Sequence, residues 1–512
     1  MKAKVVLLLL ALLCLPGLIN AQDSKLDSLD QFVQKAMKHF ETPGLSIAIV
    51  KNDSVLYVKG FGVKEIGKNE SVDANTLFGI GSISKSFTPL AIAMLIDEGK
   101  LNWDDRVVDY LPYFELYDPY VTNSFTIRDL LTHRSGLKRV SGGTLWYHSD
   151  LSREQIIRRL KHLEPVSEFR TTSAYQNTMF IVASKVVEAV INDSWDNFVR
   201  HRIFEPLGMR NTVISQAERE RSTNISQPHI KNEKFEILSI EQEKLDNMAP
   251  AGSFYSSSND MAKYMNFMLN NGIIDQDTLV SPEAFSEILS PQIHFPVFSK
   301  PIHNKFTSYG LGWWLTPKDG NTIIEHSGGI DGMGANLMME KNNRIGIIVL
   351  SNQTYSSIPF AITFDVMGDL LNDEDYVAFS KALTNWYPEI DRIQLSRRKE
   401  RFAARVENTD PSLSIEKYQG VFEDKMYGDI SIELDGQSLK LNFSHTPLFS
   451  GALSHWHYDT FKIDWTDPRV PDGFLTFEFD SKGQVTGFTL DQPNLLDVDF
   501  SELDIKKKAP SR

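Results

Sequence analysis

The chain has almost no cysteine. Its 512 residues contain one, Cys14, which lies in a segment that we expect to be removed from the mature protein. A mature chain without thiols cannot form disulfides, use a thiolate nucleophile or ligate zinc through cysteine. Catalytic classes that depend on these groups are therefore excluded.

Long hydrophobic runs are also scarce. The run from Val5 to Leu15 is eleven residues long, well short of the ~20 residues that span a bilayer as a helix. Lys2 and Lys4 precede it and the small residue Ala21 follows, which is the layout of a signal peptide. We therefore expect residues 1–21 to be cleaved, the mature protein to be periplasmic or secreted, and no stable membrane span to remain. An uncleaved membrane anchor is the alternative.

Basic residues are in deficit. The sequence has 53 Lys and Arg against 67 Asp and Glu, a formal net charge of −14 at pH 7. A surface of this sign repels phosphate backbones, so we expect no nucleic-acid partner. Hydrophobic residues make up 41% of the chain, which suffices for large cores and excludes disorder.

Strand and helix patterns alternate in the first part of the chain. β-branched runs at 45–50 and 55–58 predict a hairpin. Apolar residues at helical spacing after Gly81 predict a helix, whose start is displaced or kinked by Pro89. The capping box that begins at Ser152 predicts the start of another helix.

Short apolar runs at 321–324 and 345–350 predict two buried strands, joined by a glycine-rich stretch at 328–334. Strands at both ends of a helical region suggest one sheet built from distant segments. The predicted fold of residues 22–385 is therefore α+β, with a sheet flanked by helices.

The last part of the chain has a different pattern. Residues 386–412 include a dense charged run and are interpreted as a linker or a solvated helix. From 413 to 508, apolar residues alternate with polar ones and the alternation is broken by Asp-Gly and Lys-Gly turns. This pattern predicts a separate all-β domain, a small barrel.

Ser82-x-x-Lys85 places a hydroxyl and an amine on one face at the start of an apolar helix. A serine becomes a nucleophile when a base takes its proton, and a desolvated lysine can do so. The chain has four such S-x-x-K matches, beginning at Ser82, Ser135, Ser396 and Ser414. Ser82 is the one that follows a glycine and opens an apolar helix.

Tyr175-x-Asn177 offers a phenol and an amide on the same side of a segment. A phenol near a lysine ammonium can have its pKa lowered and act as a base, while the amide orients its neighbours. A second Y-x-N, Tyr264 to Asn266, has helical spacing around it and is interpreted as core.

His326, Ser327, Gly328 and Gly329 follow a predicted buried strand. Glycines in a strand let another backbone approach closely, and an N–H there can form an oxyanion hole with the N–H of Ser82. Taken alone, the tripeptide His326-Ser327-Gly328 favours the simpler interpretation, a turn that carries a surface histidine.

Together and in this order, the three motifs resemble those of the serine β-lactamase and penicillin-binding protein superfamily, in particular its class C β-lactamase-like branch. Three further stretches are similar to that branch: Leu130 to Leu137, Pro250-Ala251-Gly252, and Tyr309 to Trp313. His133, within the first stretch, is interpreted as structural.

The resemblance implies a mixed sheet with helices on both faces beside an all-helical lobe, followed by a lipocalin-like β domain at 413–508. It implies that Ser82 is the acylated nucleophile, with Lys85 as its proton acceptor or electrostatic partner. Tyr175 would act as general base and acid, and Asn177 as a positioning amide. Gly329 would contribute an N–H to the oxyanion hole.

His326 stands where β-lactamases of this branch carry lysine. A histidine is mostly neutral at pH 7 and suits a substrate carboxylate poorly, so the resemblance is rather to the esterases and D-amino-acid-specific peptidases. We expect an exported serine hydrolase that cleaves a small amide or ester, such as a D-amino-acid peptide or a cell-wall fragment.

Two other functions stay open: a penicillin-binding or sensor protein with negligible turnover, and a true β-lactamase. A small molecule or peptide is the expected partner, and a homo-oligomer is left open. His445, His455 and His457 could approach a metal ion, but exposed strand histidines are commoner. No metal and no cofactor are therefore expected.

Overall fold

The computed structural model describes residues 28–509, apart from residues 243, 275, 296–305 and 355. The expected signal peptide, residues 1–21, lies outside the described residues. Within them, no helix has the length and apolar character needed to cross a membrane.

An eight-stranded sheet forms the centre of the first domain, in the order β2-β1-β8-β7-β6-β5-β4-β3. Its strands are β1 (Gly44–Lys51), β2 (Ser54–Gly62), β3 (Ile293–Phe295), β4 (Thr307–Tyr309), β5 (Trp314–Lys318), β6 (Asn321–Ile330), β7 (Met333–Glu340) and β8 (Ile345–Ser351). The predicted hairpin is confirmed as β1 and β2. The sheet unites distant parts of the chain, because β1 pairs with β8 through contacts such as Ile47 with Val349.

Every pairing in this sheet is antiparallel. The predicted α+β class is confirmed, whereas the expectation of a sheet with mixed strand directions is wrong. The short connections between β1 and β2 and between successive strands from β4 to β8 reverse the chain and therefore impose antiparallel pairing, whereas parallel neighbours need long crossovers.

Helices cover both faces of the sheet and form a lobe at one side. They are α1 (28–39), α2 (Phe87–Asp97), α3 (Val107–Tyr110), α4 (Pro119–Ser124), α5 (Ile127–Leu130), α6 (Gly143–Trp146), α7 (Arg153–Arg159), α8 (Thr178–Ile191), α9 (Trp195–Val199), α10 (Gln216–Arg221), α11 (Ala249–Gly252), α12 (Ser258–Leu269), α13 (Pro282–Ile288), α14 (Ile358–Leu371) and α15 (Glu374–Ala403). Alternate residues of β1 face two different hydrophobic cores. Ile47 and Ile49 pack in the core beneath α1, α14 and α15. Ala48 and Val50 belong to the core on the opposite face of the sheet.

The helix expected after Gly81 begins late. A 3₁₀ turn, Gly81–Ser86, precedes α2, and Pro89 occupies the first turn of α2. A proline is tolerated there because the N–H groups of the first turn have no partner within the helix. The displaced helix start is therefore confirmed.

The glycine-rich stretch at 328–334 was expected to be a loop that joins two strands. In the structure most of it lies within two strands. Strand β6 continues to Ile330, and β7, which the sequence did not predict, lies between the two expected strands. The glycines stay extended because another backbone packs on them. A Cβ on Gly328 would lie 1.8 Å from the carbonyl oxygen of Ile80.

The second domain is a closed eight-stranded antiparallel barrel. Its strands are β9 (Gly420–Asp424), β10 (Gly428–Asp435), β11 (Ser438–Phe443), β12 (Ser450–His457), β13 (Thr460–Trp465), β14 (Gly473–Phe479), β15 (Val485–Asp491) and β16 (Lys506–Lys507). Strand β16 closes the barrel by pairing with both β9 and β15. Its interior is filled by aromatic side chains, among them Tyr418, Phe461 and Phe477, so it is a packed core.

The segment interpreted as a linker, 386–412, contains the second half of α15. This half contacts the barrel, because Arg398 pairs with Asp472 at 2.7 Å and Arg401 donates to the Asp472 carbonyl at 2.9 Å. Helix α15 thus packs on the first domain at its beginning and on the second at its end.

Candidate active site

Ser82 and Lys85 lie on the 3₁₀ turn that precedes α2. Residues three apart eclipse each other in a 3₁₀ turn, and Lys85 Nζ lies 3.1 Å from Ser82 Oγ. Ser82 is half-buried and Lys85 is fully buried. The predicted pair is therefore in contact, with the hydroxyl towards the cavity and the amine beneath it.

Lys85 has three polar neighbours. Its Nζ donates to Asn177 Oδ1 at 2.6 Å and to the Ala251 carbonyl at 2.8 Å, besides contacting Ser82. Burial lowers the pKa of Lys85 to about 7, and the Asp497 carboxylate opposes part of that shift. A neutral amine has two N–H groups and one lone pair. Because both carbonyl oxygens can only accept, the lone pair is left to face the Ser82 hydroxyl.

Tyr175 lies beside both Ser82 and Lys85. Its phenol interacts with the Ser82 hydroxyl, and Lys85 Nζ lies 4.6 Å from the ring centroid. Burial, reinforced by the Asp497 carboxylate, raises the pKa of Tyr175 well above its usual value. The expectation of a lowered pKa is wrong, because desolvation by burial disfavours the charged phenolate. The phenol therefore keeps its proton in this state.

His133 holds the backbone on both sides of Tyr175. Its carbonyl accepts from the Ala174 N–H at 2.8 Å, and its Nδ1 accepts from the Gln176 N–H at 3.0 Å. Its ring lies 4.3 Å from that of Tyr175. The structural role expected of His133 thus consists in positioning the phenol.

Asn177 connects the lysine to the barrel domain. Its Oδ1 accepts from Lys85, and its Nδ2 donates to Asp497 Oδ2 at 3.0 Å. Asp497 follows β15 in the chain, far from any motif. The positioning amide predicted from Tyr175-x-Asn177 is in the site, but its second partner was not predicted.

Strand β6 borders the site with its free edge. Strand β5 pairs with β6 only as far as Glu325, whereas β7 pairs to Ile330. Glycines on both segments allow this edge to contact the 3₁₀ turn that carries Ser82. A Cβ on Gly81 would lie 2.3 Å from the Gly329 nitrogen. Gly81 also has φ +51°, a conformation that favours glycine. The Ser82 and Gly329 backbones are therefore held side by side.

His326 is a buried, neutral part of the wall. Its Nδ1 lies 2.7 Å from the Ser327 carbonyl, which can only accept, so Nδ1 carries the hydrogen and Nε2 accepts from the Tyr309 hydroxyl at 3.0 Å. Burial and the nearby Lys85 lower the pKa of His326 to about 3. The side chain therefore offers no positive charge to a substrate.

A cavity of about 530 Å³ opens beside these groups. Its lining includes Ser82, Tyr175, His326, Ser327 and Gly329, whereas the predicted site residues Lys85, Asn177 and Gly328 are not part of this lining. Asn177 lines a smaller adjoining cavity together with Ser82 and Gly329. Leu496 and Asp497 of the second domain also line the larger cavity. They lie in the segment after the last long strand and belong to no motif, so the sequence alone could not single them out.

The three histidines considered as metal ligands have other partners. His455 Nε2 contacts the Tyr458 carbonyl at 2.9 Å, His457 Nδ1 accepts from the Val406 N–H at 3.1 Å, and His445 Nδ1 lies 2.7 Å from Asp150. In the described part of the chain, no group of three or more His, Cys, Asp or Glu side chains is arranged to hold a metal ion.

This geometry is suited to nucleophilic chemistry at a carbonyl. A hydroxyl lies between an amine that is partly neutral at pH 7 and a protonated phenol, beside two adjacent backbone nitrogens and an open cavity. Such a set can deprotonate the hydroxyl, stabilise a developing oxyanion and protonate a leaving group.

Comparison with known proteins gives two family matches. Residues 29–369 match the family model described as Beta-lactamase. Residues 404–507 match a domain of unknown function, DUF3471. The two matches correspond to the sheet-and-helix domain and to the barrel.

Among curated proteins, unguisins hydrolase ungD' of Aspergillus campestris is 28% identical over 446 residues, which cover 82% of this chain and 80% of that protein. Among solved structures, the octameric penicillin-binding protein homologue from Pyrococcus abyssi is similar with a TM-score of 0.61, 22% identity, and coverage of 92% of this chain and 99% of that one. A D-stereospecific amidohydrolase from Streptomyces sp. is similar with a TM-score of 0.51 and 20% identity, over 63% of this chain and 94% of that one. The structural likenesses concern the fold.

Proposed function

The chain belongs to the β-lactamase family, and on that premise we propose that it is a serine hydrolase that cleaves a small amide or ester through an acyl-enzyme on Ser82. The observation that carries the proposal is the hydrogen bonding of Lys85, which directs the lone pair of the neutral amine at Ser82 Oγ. A lysine with a pKa near 7 is matched to this task at neutral pH.

In the acylation step, Ser82 Oγ bonds to the substrate carbonyl carbon and its proton passes to Lys85 Nζ. The carbonyl oxygen takes the electron pair and is stabilised by the N–H groups of Ser82 and Gly329. The intermediate then collapses, and the bond to the leaving amine or alcohol breaks. Tyr175 gives its proton to the leaving group and recovers one from the Lys85 ammonium.

In the second step, water replaces the leaving group. Its proton passes through Tyr175 to Lys85 as its oxygen bonds to the acyl carbon. Collapse of this intermediate breaks the bond to Ser82, which recovers its proton, and the acid product leaves. The raised pKa of Tyr175 supports a role in which the phenol transfers a proton and does not remain ionised.

The charges around the cavity favour substrates without a carboxylate near the reacting carbonyl. His326 is neutral, Asp497 is an acid, and Arg139 at the rim lies 3.9 Å from Asp497. A neutral or cationic group is therefore preferred there, as in a peptide with a D-residue and a free amine. These charges argue against efficient hydrolysis of β-lactams, which carry a carboxylate.

Ser82→Ala tests the proposal. Purified protein would be incubated with p-nitrophenyl esters, D-amino-acid amides and nitrocefin, and labelled with a fluorophosphonate. We expect turnover and labelling in the wild type and neither in the variant. Ser396→Ala is the matched control, because Ser396 begins another S-x-x-K match on an exposed face of α15.

Three results would change the assignment. Activity retained in Ser82→Ala would contradict the mechanism. Slow, stable acylation of the wild type without turnover would make the protein a penicillin-binding or sensor protein. Rapid nitrocefin hydrolysis would make it a β-lactamase.

We further propose export, on the basis of the signal-peptide layout of residues 1–21. Fractionation of the source cells is expected to place the protein outside the cytoplasm with residue 22 at its N-terminus. Recovery from the cytoplasm with residues 1–21 intact would contradict this.

A further inference from the structure

We propose that Asp497, supplied by the barrel domain, is a positioning residue of the catalytic centre that fixes the orientation of the Asn177 amide and so the direction of the Lys85 lone pair. The inference rests on the proposed function, in which Lys85 is the base. It makes the second domain part of the catalytic apparatus of the first.

The argument begins with the segment that carries Asp497. It connects β15 to the short helix Phe500–Glu502, and polar contacts fix it to the loop 138–143 of the first domain. Glu502 accepts hydrogen bonds from the Gly142 N–H at 2.8 Å and from the Ser141 hydroxyl. Lys138 pairs with Asp499 and donates to Ser501 at 2.9 Å.

Close backbone packing also fixes the position of the segment that carries Asp497. A Cβ on Gly143 would lie 2.1 Å from the Asp497 carbonyl oxygen, so the two backbones are in direct contact. On the other side, a Cβ on Gly329 would lie 3.5 Å from Leu496 Cδ2, an ordinary van der Waals distance. The segment of Leu496 and Asp497 therefore lies between strand β6 and the loop 138–143.

The loop 138–143 also contacts the phenol side of the centre. The Val140 N–H donates to the Tyr175 carbonyl at 2.7 Å. One short loop thus holds both the segment of Tyr175 and the segment of Asp497, which places the Asp497 carboxylate against Asn177.

The carboxylate determines which way the Asn177 amide faces. A carboxylate can only accept, so the amide must present Nδ2 to Asp497 and Oδ1 to Lys85. Without Asp497 the amide is free to invert and present Nδ2 to the lysine. An amide nitrogen there would take the lone pair away from Ser82 or repel the N–H groups of the amine.

Asp497 also acts on the charge of Lys85. The titratable and charged groups that face Lys85 are Asp497, Tyr175, His133, His326 and, through its contact with Asp497, Arg139. Burial and the nearby lysine lower the pKa values of both histidines, so they are neutral. Asp497 is therefore the negative charge that favours the protonated amine, and its removal lowers the pKa of Lys85 further.

The test measures the rate at which a neutral fluorophosphonate labels Ser82 from pH 5 to 9, in the wild type, Asp497→Asn and Asp497→Ala. This rate reports on activation of the nucleophile and needs no knowledge of the substrate. We expect both variants to move the midpoint of the acidic limb by about one unit to lower pH. We also expect the plateau rate to fall about tenfold, because the amide is no longer fixed.

Asp491→Asn is the matched control, since this exposed acid on the same domain lies outside the cavity lining. Its labelling profile is expected to match the wild type. Thermal unfolding of each variant identifies any that fails to fold; if Asp497→Ala fails, Asp497→Asn, which has nearly the same shape, provides the answer.

Two outcomes separate the inference from its premise. Absence of labelling at Ser82 in the wild type would overturn the proposed function. Labelling of Asp497→Asn with the wild-type midpoint and plateau would overturn the inference alone. Selective loss of turnover on D-alanine p-nitroanilide with an unchanged labelling profile would assign Asp497 to substrate binding and overturn the positioning role.

Discussion

At the scale of single residues, the reactivity of Ser82 depends on the protonation of Lys85. Because burial lowers the pKa of this lysine to about 7, the neutral amine becomes the major form as the pH rises through that value. We expect kcat/KM for a neutral ester to fall about tenfold per pH unit below the midpoint and to level off above it.

This prediction is checked with a pH–rate profile and with Lys85→Arg. A guanidinium stays charged throughout the range, so the variant is expected to be inactive at every pH. A rate that is flat from pH 5 to 8 would show that the amine is not the base.

Asn336 offers a second test on one side chain. It lines the cavity, is 1% exposed, and both its amide atoms lack a hydrogen-bond partner among the described residues. An unsatisfied buried polar group costs roughly 1–3 kcal/mol, so we expect Asn336→Leu to increase the free energy of unfolding by an amount in this range, measured by urea denaturation.

Asn352→Leu is the matched control. Asn352 is also buried, but it accepts from the Gly44 N–H at 2.7 Å and donates to the carbonyls of Val63 and Lys64. Its replacement is expected to destabilise the protein. If both variants are destabilised, the Asn336 amide has a partner such as a bound water.

The sequence anticipated the chemistry of the centre better than its electrostatics. Ser82, Lys85 and Tyr175 stand in short motifs, and the structure brings them together as predicted. The pKa of Tyr175 moves in the opposite direction from the expected one, because burial is a property of the whole fold. Asp497 belongs to no motif, since its contact with Asn177 depends on how two domains dock.

At the scale of elements, the contact between the 3₁₀ turn and β6 is the critical junction. A Cβ on Gly328 would lie 1.8 Å from the Ile80 carbonyl oxygen, too close for any relaxation that keeps the turn in place. We expect Gly328→Ala to destabilise the protein by about 2–4 kcal/mol and to reduce fluorophosphonate labelling of Ser82 strongly.

The control lies on the next strand. A Cβ on Gly334 of β7 would meet no atom closer than 3.4 Å, so Gly334→Ala is expected to leave stability and labelling nearly unchanged. Equal tolerance of both substitutions would mean that the turn and the strand can separate without loss of function.

Secondary-structure elements with a clear local sequence pattern were predicted. A strand whose residues locally favour a turn was missed. The β1–β2 hairpin and the Ser152 capping box are present as expected. Strand β7 was missed because its neighbouring glycines favour a turn when they are considered alone. Their extended form comes from packing against a distant segment.

At the scale of the whole molecule, Glu502 connects the two domains next to the catalytic centre. Loss of its hydrogen bonds to Ser141 and Gly142 releases the segment that carries Asp497. We expect Glu502→Ala to lower the unfolding free energy by roughly 1.5–3 kcal/mol and to shift the labelling profile in the same direction as Asp497→Asn, to a smaller extent.

Chemical denaturation and the fluorophosphonate profile measure the two effects. Glu502→Gln keeps an acceptor for one of the two donors and is expected to fall between Glu502→Ala and the wild type in both. A labelling profile of Glu502→Ala identical to that of the wild type would show that the segment stays in place without this anchor.

The pairing of β1 with β8 has a consequence for how the protein is made. Strand β1 cannot pair with β8 until most of the first domain has been translated. Closure of so long a loop is slow, and the apolar face of the early hairpin stays open to aggregation and to proteases in the meantime. We therefore expect chaperones, or rapid completion of the nascent polypeptide, to increase the yield of folded protein.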